Sequence, residues 1–348
     1  MRKISIVGLL KTVLPLLLGI YLIWYFFNGM SEKSLEVFYN SLREANYFWI
    51  FIALALSFLT FCIRAYRWKY VLEPMGYHTK FWNRYHALMI GYLVNLTIPR
   101  AGEASRAAML FRSDGVPFSK SFGTIIGERA VDLIMLASVA ALTALLGFDA
   151  FMDIFHQIQT QFAPVEVADG GLPWKLIIYS IVGAGLVGLI LVMIFHVKWR
   201  SKLIGFAQDV IAGVLSIFKS KNPGAYIFQT ILIWVLYIVY FAIPFLSLEQ
   251  TKDFPMDGIL LAFIAGSLGI TFTNGGIGTF PLLVGLVIVF YLGDTVPDAL
   301  AIGNALGMII WVSQTLLLIV MGLISLILLP KNYTKDHVET KLHSEQNR

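Results

Sequence analysis

A chain of 348 residues in which 58% are apolar and only 14% charged has too little polar surface to clothe a water-soluble core of its own size. That composition excludes an ordinary soluble enzyme and reads as a membrane protein. The net charge is +5, from 26 basic and 21 acidic residues, and the single cysteine, Cys62, rules out an intrachain disulfide or a cysteine-based metal site.

In chain order, the stretch from Ile4 to Phe27 is preceded by the basic residues Arg2 and Lys3, a start like that of a signal peptide. It is too long for a signal h-region and lacks a small-residue cleavage site, so it reads as a retained helix. Full spans are predicted at residues 5–27, 47–70, 119–147, 175–197, 225–247 and 299–329, since about 20 apolar residues cross the hydrocarbon core. Two broken apolar regions, 82–112 and 258–293, fall between the second and third spans and between the fifth and sixth. Each carries Gly and Pro near its middle and is predicted as a re-entrant helical hairpin, in which irregular backbone at depth is tolerated when buried in protein or facing a watery cavity. Residues 148–174 are predicted as an external loop, 198–222 as a basic helix on the cytoplasmic leaflet surface, and 331–348 as a polar cytoplasmic tail.

Charge tests this layout, because cytoplasmic loops carry excess Lys and Arg. Placing both termini in the cytoplasm puts most of the basic residues inside, including Arg64, Arg67, Lys69, Lys80 and Arg84, and leaves Lys33, Arg43, Lys175 and Lys252 outside. Arg100, Arg106 and Arg129 fall at membrane depth. The fold class expected is therefore an all-α integral membrane protein of the cell membrane, about six full spans plus two re-entrant helical hairpins. The chain would form one transmembrane domain over 1–330, with inverted repeats at about 1–147 and 175–329, as in alternating-access transporters.

A charged side chain at the bilayer centre costs roughly 2.5 to 3.5 kcal/mol on insertion scales, so the intramembrane charges are the candidate working residues. They are Arg100, Glu103 and Arg106 in the first hairpin and Glu128, Arg129 and Asp132 in the third span, a formally neutral set able to pair and to exchange partners when a phosphate arrives. Arginines 100 and 106 can hold phosphate oxygens in two-point fashion. Glu128, Arg129 and Asp132 read as a coupling or ion-pair network, Glu128 or Asp132 carrying a proton. In the first hairpin Pro99 ends the incoming helix and Gly102 allows the turn. In the second, Gly275, Gly276 and Gly278 make the break, Thr279 can cap the outgoing helix and Pro281 suits its first turn. Both outgoing helices would start near the midplane with free N–H groups, a geometry suited to phosphate.

The remaining polar and aromatic residues have plainer readings. His86 and His196 are expected as near-interface polar groups rather than metal ligands, and Trp49, Trp68, Trp174 and Trp199 as interfacial-belt residues. Asn304 and Gln314 are expected to hydrogen-bond between helices, and Gly303 with Gly307 to bring helices close.

Three segments in order, Asn95-Leu-Thr-Ile-Pro-Arg-Ala-Gly-Glu-Ala-Ser-Arg106, Gly127-Glu-Arg-Ala-Val-Asp132 and Asn274-Gly-Gly-Ile-Gly-Thr-Phe-Pro281, resemble the successive signatures of the lysyl-phosphatidylglycerol synthetase transmembrane-region family, the flippase-like domain. In bifunctional members of that family such a domain moves aminoacylated phospholipid between leaflets, and a soluble domain makes that lipid. The resemblance implies a stand-alone flippase-like member without the synthase domain. Asn95, Arg100, Glu103, Arg106, Asn274, Gly275, Gly276, Gly278 and Thr279 would then contact substrate.

The function expected is movement of an anionic phospholipid or lipid-phosphate-linked molecule between leaflets, with a lipid-modifying enzyme as a potential partner. No nucleic-acid partner, cofactor, metal or catalytic residue is expected. No Gly-x-x-x-x-Gly-Lys loop occurs, so energy would come from an ion gradient, the membrane potential or downhill movement. The alternative is an integral-membrane enzyme acting on a lipid-linked sugar or phosphate, with Glu103, Glu128 or Asp132 as base. A third reading is a non-transporting scaffold.

Overall fold

The computed structural model describes residues 30–98, 101–146, 222–293 and 295–330, with isolated helical positions at Tyr21, Trp24, Asn28 and Gln208. The predicted spans 5–27 and 175–197, the loop 148–174, the basic segment 198–222 and the tail 331–348 lie wholly or almost wholly outside the described residues. So do Pro99, Arg100 and His196, and the side chain of Asn274.

Helix α1 (Glu32–Glu44), which the sequence reading did not assign, is opened by Ser31, whose hydroxyl accepts from the Ser34 N–H at 3.1 Å. Asn46 plays the same part for α2 (Tyr47–Arg67), accepting from the Phe48 N–H. A further helical turn then carries α2 on to Met75. Next come α3 (Phe81–Thr97), α4 (Gly102–Asp114), α5 (Phe118–Leu146), α6 (Pro223–Ala242), α7 (Met256–Phe272), α8 (Thr279–Leu292) and α9 (Ala299–Leu328). Pro223 at the first position of α6 suits a helix start, since its missing N–H would be unpaired there anyway. Among the described residues the segments led by α2, α5, α6 and α9 are long and apolar enough to cross a membrane, while α7 and α8 are apolar but shorter.

Each broken region is a helix, a break and an antiparallel helix. In the first, a Cβ built on Gly102 would lie 2.2 Å from the Gly91 carbonyl oxygen, so only glycine lets α3 and α4 cross this closely. At the open end the Lys80 N–H donates to Asp114 Oδ1 at 3.3 Å. In the second, Gly266 and Gly269 of α7 lie against Phe280 of α8, and Tyr291 donates to Asp257 Oδ2 at 2.6 Å at the open end. Gly275, Gly276 and Gly278 all have φ between +67° and +83°, the left-handed region that lets the chain reverse. Thr279 does not cap α8 as expected. It is the first helical residue, and its hydroxyl donates back across the hairpin to the Gly269 carbonyl at 2.7 Å, which also accepts from the Thr273 N–H.

Helix α9 shows how the hairpins sit. Along it, Gly303 meets Gly285, Gly307 meets Pro281, Trp311 donates to the Gly275 carbonyl at 2.7 Å, Gly322 meets Leu93 and Met89, and Ser325 bonds His86 at 3.0 Å. Residue numbers on α8 and on α3 both fall as those on α9 rise, so both helices run antiparallel to α9 and parallel to each other. The two hairpins therefore point in opposite directions and meet at their breaks, where a Cβ on Gly275 would lie 3.1 Å from Leu96 Cδ2. From Gly303 to Ser325 the contacts occupy about 33 Å of helix, close to the ~30 Å of a hydrocarbon core.

Small residues supply the close approaches, as expected where lipid removes the hydrophobic drive between helices. Gly303 and Gly307 behave as anticipated. Asn304 does not form its expected interhelical bond. It is fully buried against Gly285, and neither polar atom of its amide has a hydrogen-bond partner. Gln314 does bond across helices, accepting from Ser57 Oγ at 2.7 Å. Between α6, α7 and α8 an aromatic core forms from Phe241, Phe245, Phe254, Phe263 and Phe280.

Candidate functional site

The charges collect where α2, α4, α5 and α6 converge. Glu128 on α5 is buried and accepts from three guanidiniums: Arg64 Nε at 2.6 Å and Arg67 Nη2 at 3.0 Å on its Oε1, and Arg106 Nη1 at 2.8 Å on its Oε2. One turn further, Asp132 Oδ2 accepts from Arg64 Nη2 at 2.9 Å and is ion-paired with Arg129, whose Nη2 lies 3.1 Å away. Helix α6 completes the first arginines: Tyr237 accepts from Arg64 Nη1 at 2.6 Å and Thr230 from Arg67 Nη1 at 2.8 Å.

Local sequence explains why these groups meet. Arg64 and Arg67 are three apart at the end of α2, and Glu128 and Asp132 four apart on α5, spacings that put each pair on one helix face. The Gly91 and Gly102 contact draws α4 onto α3, and Arg106 follows one turn later with its Cβ 3.1 Å from the position a Gly91 Cβ would take. The guanidinium of Arg106 then lies 3.8 Å from the Trp68 ring centroid, a cation–π contact. Trp68 in turn donates to Thr124 Oγ1 at 2.9 Å.

Several expectations are corrected here. Arg64 and Arg67, assigned from sequence to the cytoplasmic basic cluster, are 4% and 1% exposed and belong to the buried network. Their place just before a run of basic residues hid them; the signal was Ser57, Thr60 and Arg64 recurring on one buried face of α2. Trp68, assigned to the interfacial belt, is buried because the Arg106 stack and the Thr124 bond hold its ring inside. The ion-paired set among the described residues is also not neutral. Arg64, Arg67, Arg106 and Arg129 face Glu128 and Asp132, four cations to two anions.

The other predicted site residues occupy distinct positions. Asn95 accepts from the Gly102 N–H at 2.7 Å through Oδ1, satisfying one free donor at the start of α4. Glu103 lies in the first turn of α4, where a carboxylate suits the positive end of the helix, and no ion pair engages it among the described residues. Arg129 is the exposed member of the network, with 43% of its side chain accessible. Gly275, Gly276, Gly278 and Thr279 form the second break, which touches the tip of the first hairpin at Leu96 but makes no ion pair with the arginine cluster. His86 is hydrogen-bonded to Ser325, and no group of three or more metal-ligating side chains gathers among the described residues.

Two groups in the network lack partners. Arg106 is 3% exposed, yet its Nε and Nη2 have no acceptor, and Asp132 Oδ1 has no donor. Nε and Nη2 form the parallel two-donor edge of a guanidinium, the edge that matches a carboxylate or phosphate.

Long apolar helices, glycine-mediated packing, opposed broken hairpins and a buried arginine-rich network define a multi-pass membrane protein with a polar interior. Residues 12–317 match the family model described as the lysylphosphatidylglycerol synthase TM region, and the chain belongs to that family. It is similar to the UPF0104 membrane protein MJ1595 of Methanocaldococcus jannaschii, 26% identical over 272 residues covering 71% of this chain and 75% of that one. It is also similar to the glycosyltransferase AglD of Haloferax volcanii, 25% identical over 311 residues, 81% of this chain but 48% of that protein, so it spans about half of that relative's length. No solved structure matches.

Proposed function

We propose that this protein moves an anionic phospholipid or a lipid-phosphate-linked molecule between leaflets by alternating access. The observation that carries the reading is the buried, unpaired Nε and Nη2 edge of Arg106 within a network of four arginines and two carboxylates. An unsatisfied buried donor costs about 1 to 3 kcal/mol, and the excess positive charge asks for an anion. A phosphate on that edge answers both, while the acyl or isoprenoid chains remain in lipid.

The opposed hairpins support the transport step. Each reaches about half the depth of α9, so irregular backbone from both would meet near the bilayer midplane, the arrangement of inverted-repeat transporters. In this reading the hairpins are re-entrant and α2 to α5 and α6 to α9 are inverted repeats. Both termini are cytoplasmic, the membrane is the cell membrane, and a lipid-modifying enzyme works beside the protein. Arg100 and the glycines of the second break join the substrate path, and Glu128 or Asp132 trades its arginine for a proton during the cycle.

The second reading, an enzyme acting on a lipid-linked sugar or phosphate, is favoured by the name of one relative, a glycosyltransferase. Proteoliposomes separate the two. Leaflet exchange of fluorescent phosphatidylglycerol without chemical change is expected, whereas chemical conversion of a lipid-linked sugar or lipid phosphate supports the enzyme. Arg106→Ala should slow exchange about tenfold or more, the worth of a charge-assisted hydrogen bond, and keep its folded yield because Glu128 retains Arg64 and Arg67. Normal exchange in a folded Arg106→Ala protein would place the phosphate elsewhere.

A further inference from the structure

The network contains one more unsatisfied group, of opposite character to the Arg106 edge. Asp132 spends Oδ2 on Arg64 and Arg129, and its Oδ1 is buried without a donor. The chain of contacts from Arg106 through Glu128 and Arg64 to Asp132 joins the two orphans into one site. Glu128 and Asp132 stand one turn apart, about 6 Å along α5, so the carboxylate that holds Arg106 and the one with the free acceptor lie on the same stretch of helix.

We infer that Asp132 is a specificity residue that reads the headgroup beyond its phosphate, selecting lipids whose phosphate carries a hydroxyl or ammonium donor over those whose phosphate carries none. This rests on the lipid-phosphate reading of Arg106. The reason is the cost asymmetry of buried polar groups: a headgroup donor satisfies Oδ1, while a headgroup without one leaves that atom with no partner from the lipid. The neighbouring guanidiniums of Arg64 and Arg129 both reach Asp132 through Oδ2 and leave Oδ1 free.

The test uses the full chain in proteoliposomes with two probes of equal charge, tail-labelled phosphatidylglycerol, which bears hydroxyls, and tail-labelled phosphatidylmethanol, which has none. Phosphatidylglycerol should exchange about fivefold faster or more, the low end of what an orphaned acceptor costs. In Asp132→Asn the amide oxygen must stay on Arg64 and Arg129, which only donate, so its NH2 takes the place of Oδ1 and turns the free acceptor into a donor. The ratio should then fall to about one or invert. Equal exchange of both lipids by the wild-type protein overturns the inference and leaves the transport reading standing. Exchange of neither lipid overturns the transport reading itself. An Asp132→Asn protein that slows both lipids equally, with the ratio kept, returns Asp132 to a purely structural role. Should that variant fail to fold, the wild-type ratio alone decides.

Discussion

At the scale of single residues, Glu128 and Arg106 are not equivalent halves of one ion pair. Arg106 removes one of three donors on Glu128, whereas Glu128 is the acceptor shared by Arg64, Arg67 and Arg106. Breaking one side of a buried pair costs about 3 to 5 kcal/mol because it strands the other charge, and here Arg67 and Arg106 would lose their carboxylate partner while Arg64 keeps Asp132. Glu128→Gln should therefore lower the midpoint of thermal unfolding in detergent far more than Arg106→Ala, with much reduced folded yield. A Glu128→Gln protein as stable as the wild type would mean that the arginines find other acceptors. Arg106→Lys should recover only part of the exchange lost in Arg106→Ala, since an ammonium lacks the planar two-donor edge.

At the scale of elements, the hairpins depend on positions with no room for a methyl group. A Cβ on Gly102 would meet the Gly91 backbone oxygen at 2.2 Å and the Asn95 amide at 2.4 Å. The oxygen is backbone and cannot swing aside, so α3 and α4 must part, and Arg106 leaves Glu128 with them. Gly102→Ala should be strongly destabilising and should also abolish lipid exchange. Gly224, near the start of α6, has nothing within 4 Å of the same construction. There alanine should be neutral or stabilise by up to about 1 kcal/mol, because it restricts the unfolded chain. Thermal unfolding of the two variants side by side checks the contrast, and similar midpoints would contradict the packing described for the first hairpin.

At the scale of the whole molecule, the open ends of the two hairpins lie towards opposite ends of α9, and in the proposed transporter they would face opposite sides of the membrane. If both termini are cytoplasmic, as proposed, cysteines placed singly at Ser34 and Gln157 in a Cys62→Ala background should react with an impermeant thiol reagent added outside intact cells. A cysteine at Ser344 should react only after the membrane is opened. Labelling of the Ser344 site from outside would contradict the proposed topology.

Read alone, the sequence determined the membrane class, the long apolar helices α2, α5, α6 and α9, and both helix breaks. Those features follow from local chemistry: apolar run length, Pro99 and Gly102, and the glycines at 275, 276 and 278. Glu128, Asp132 and Arg106 were also legible, because a charge inside an apolar run is costly wherever it ends up. Tertiary structure alone decided the membership and balance of the charge network. Arg64 and Arg67 look like interfacial residues until α4, α5 and α6 close around them, and Trp68 looks like a belt residue until Arg106 stacks on its ring. Which donors and acceptors remain unpaired was likewise beyond sequence, since satisfaction is a property of atoms brought together from helices far apart in the chain. The same holds for the opposed hairpins: each break is written in its own glycines, but their meeting at Leu96 and Gly275 depends on how both line up along α9.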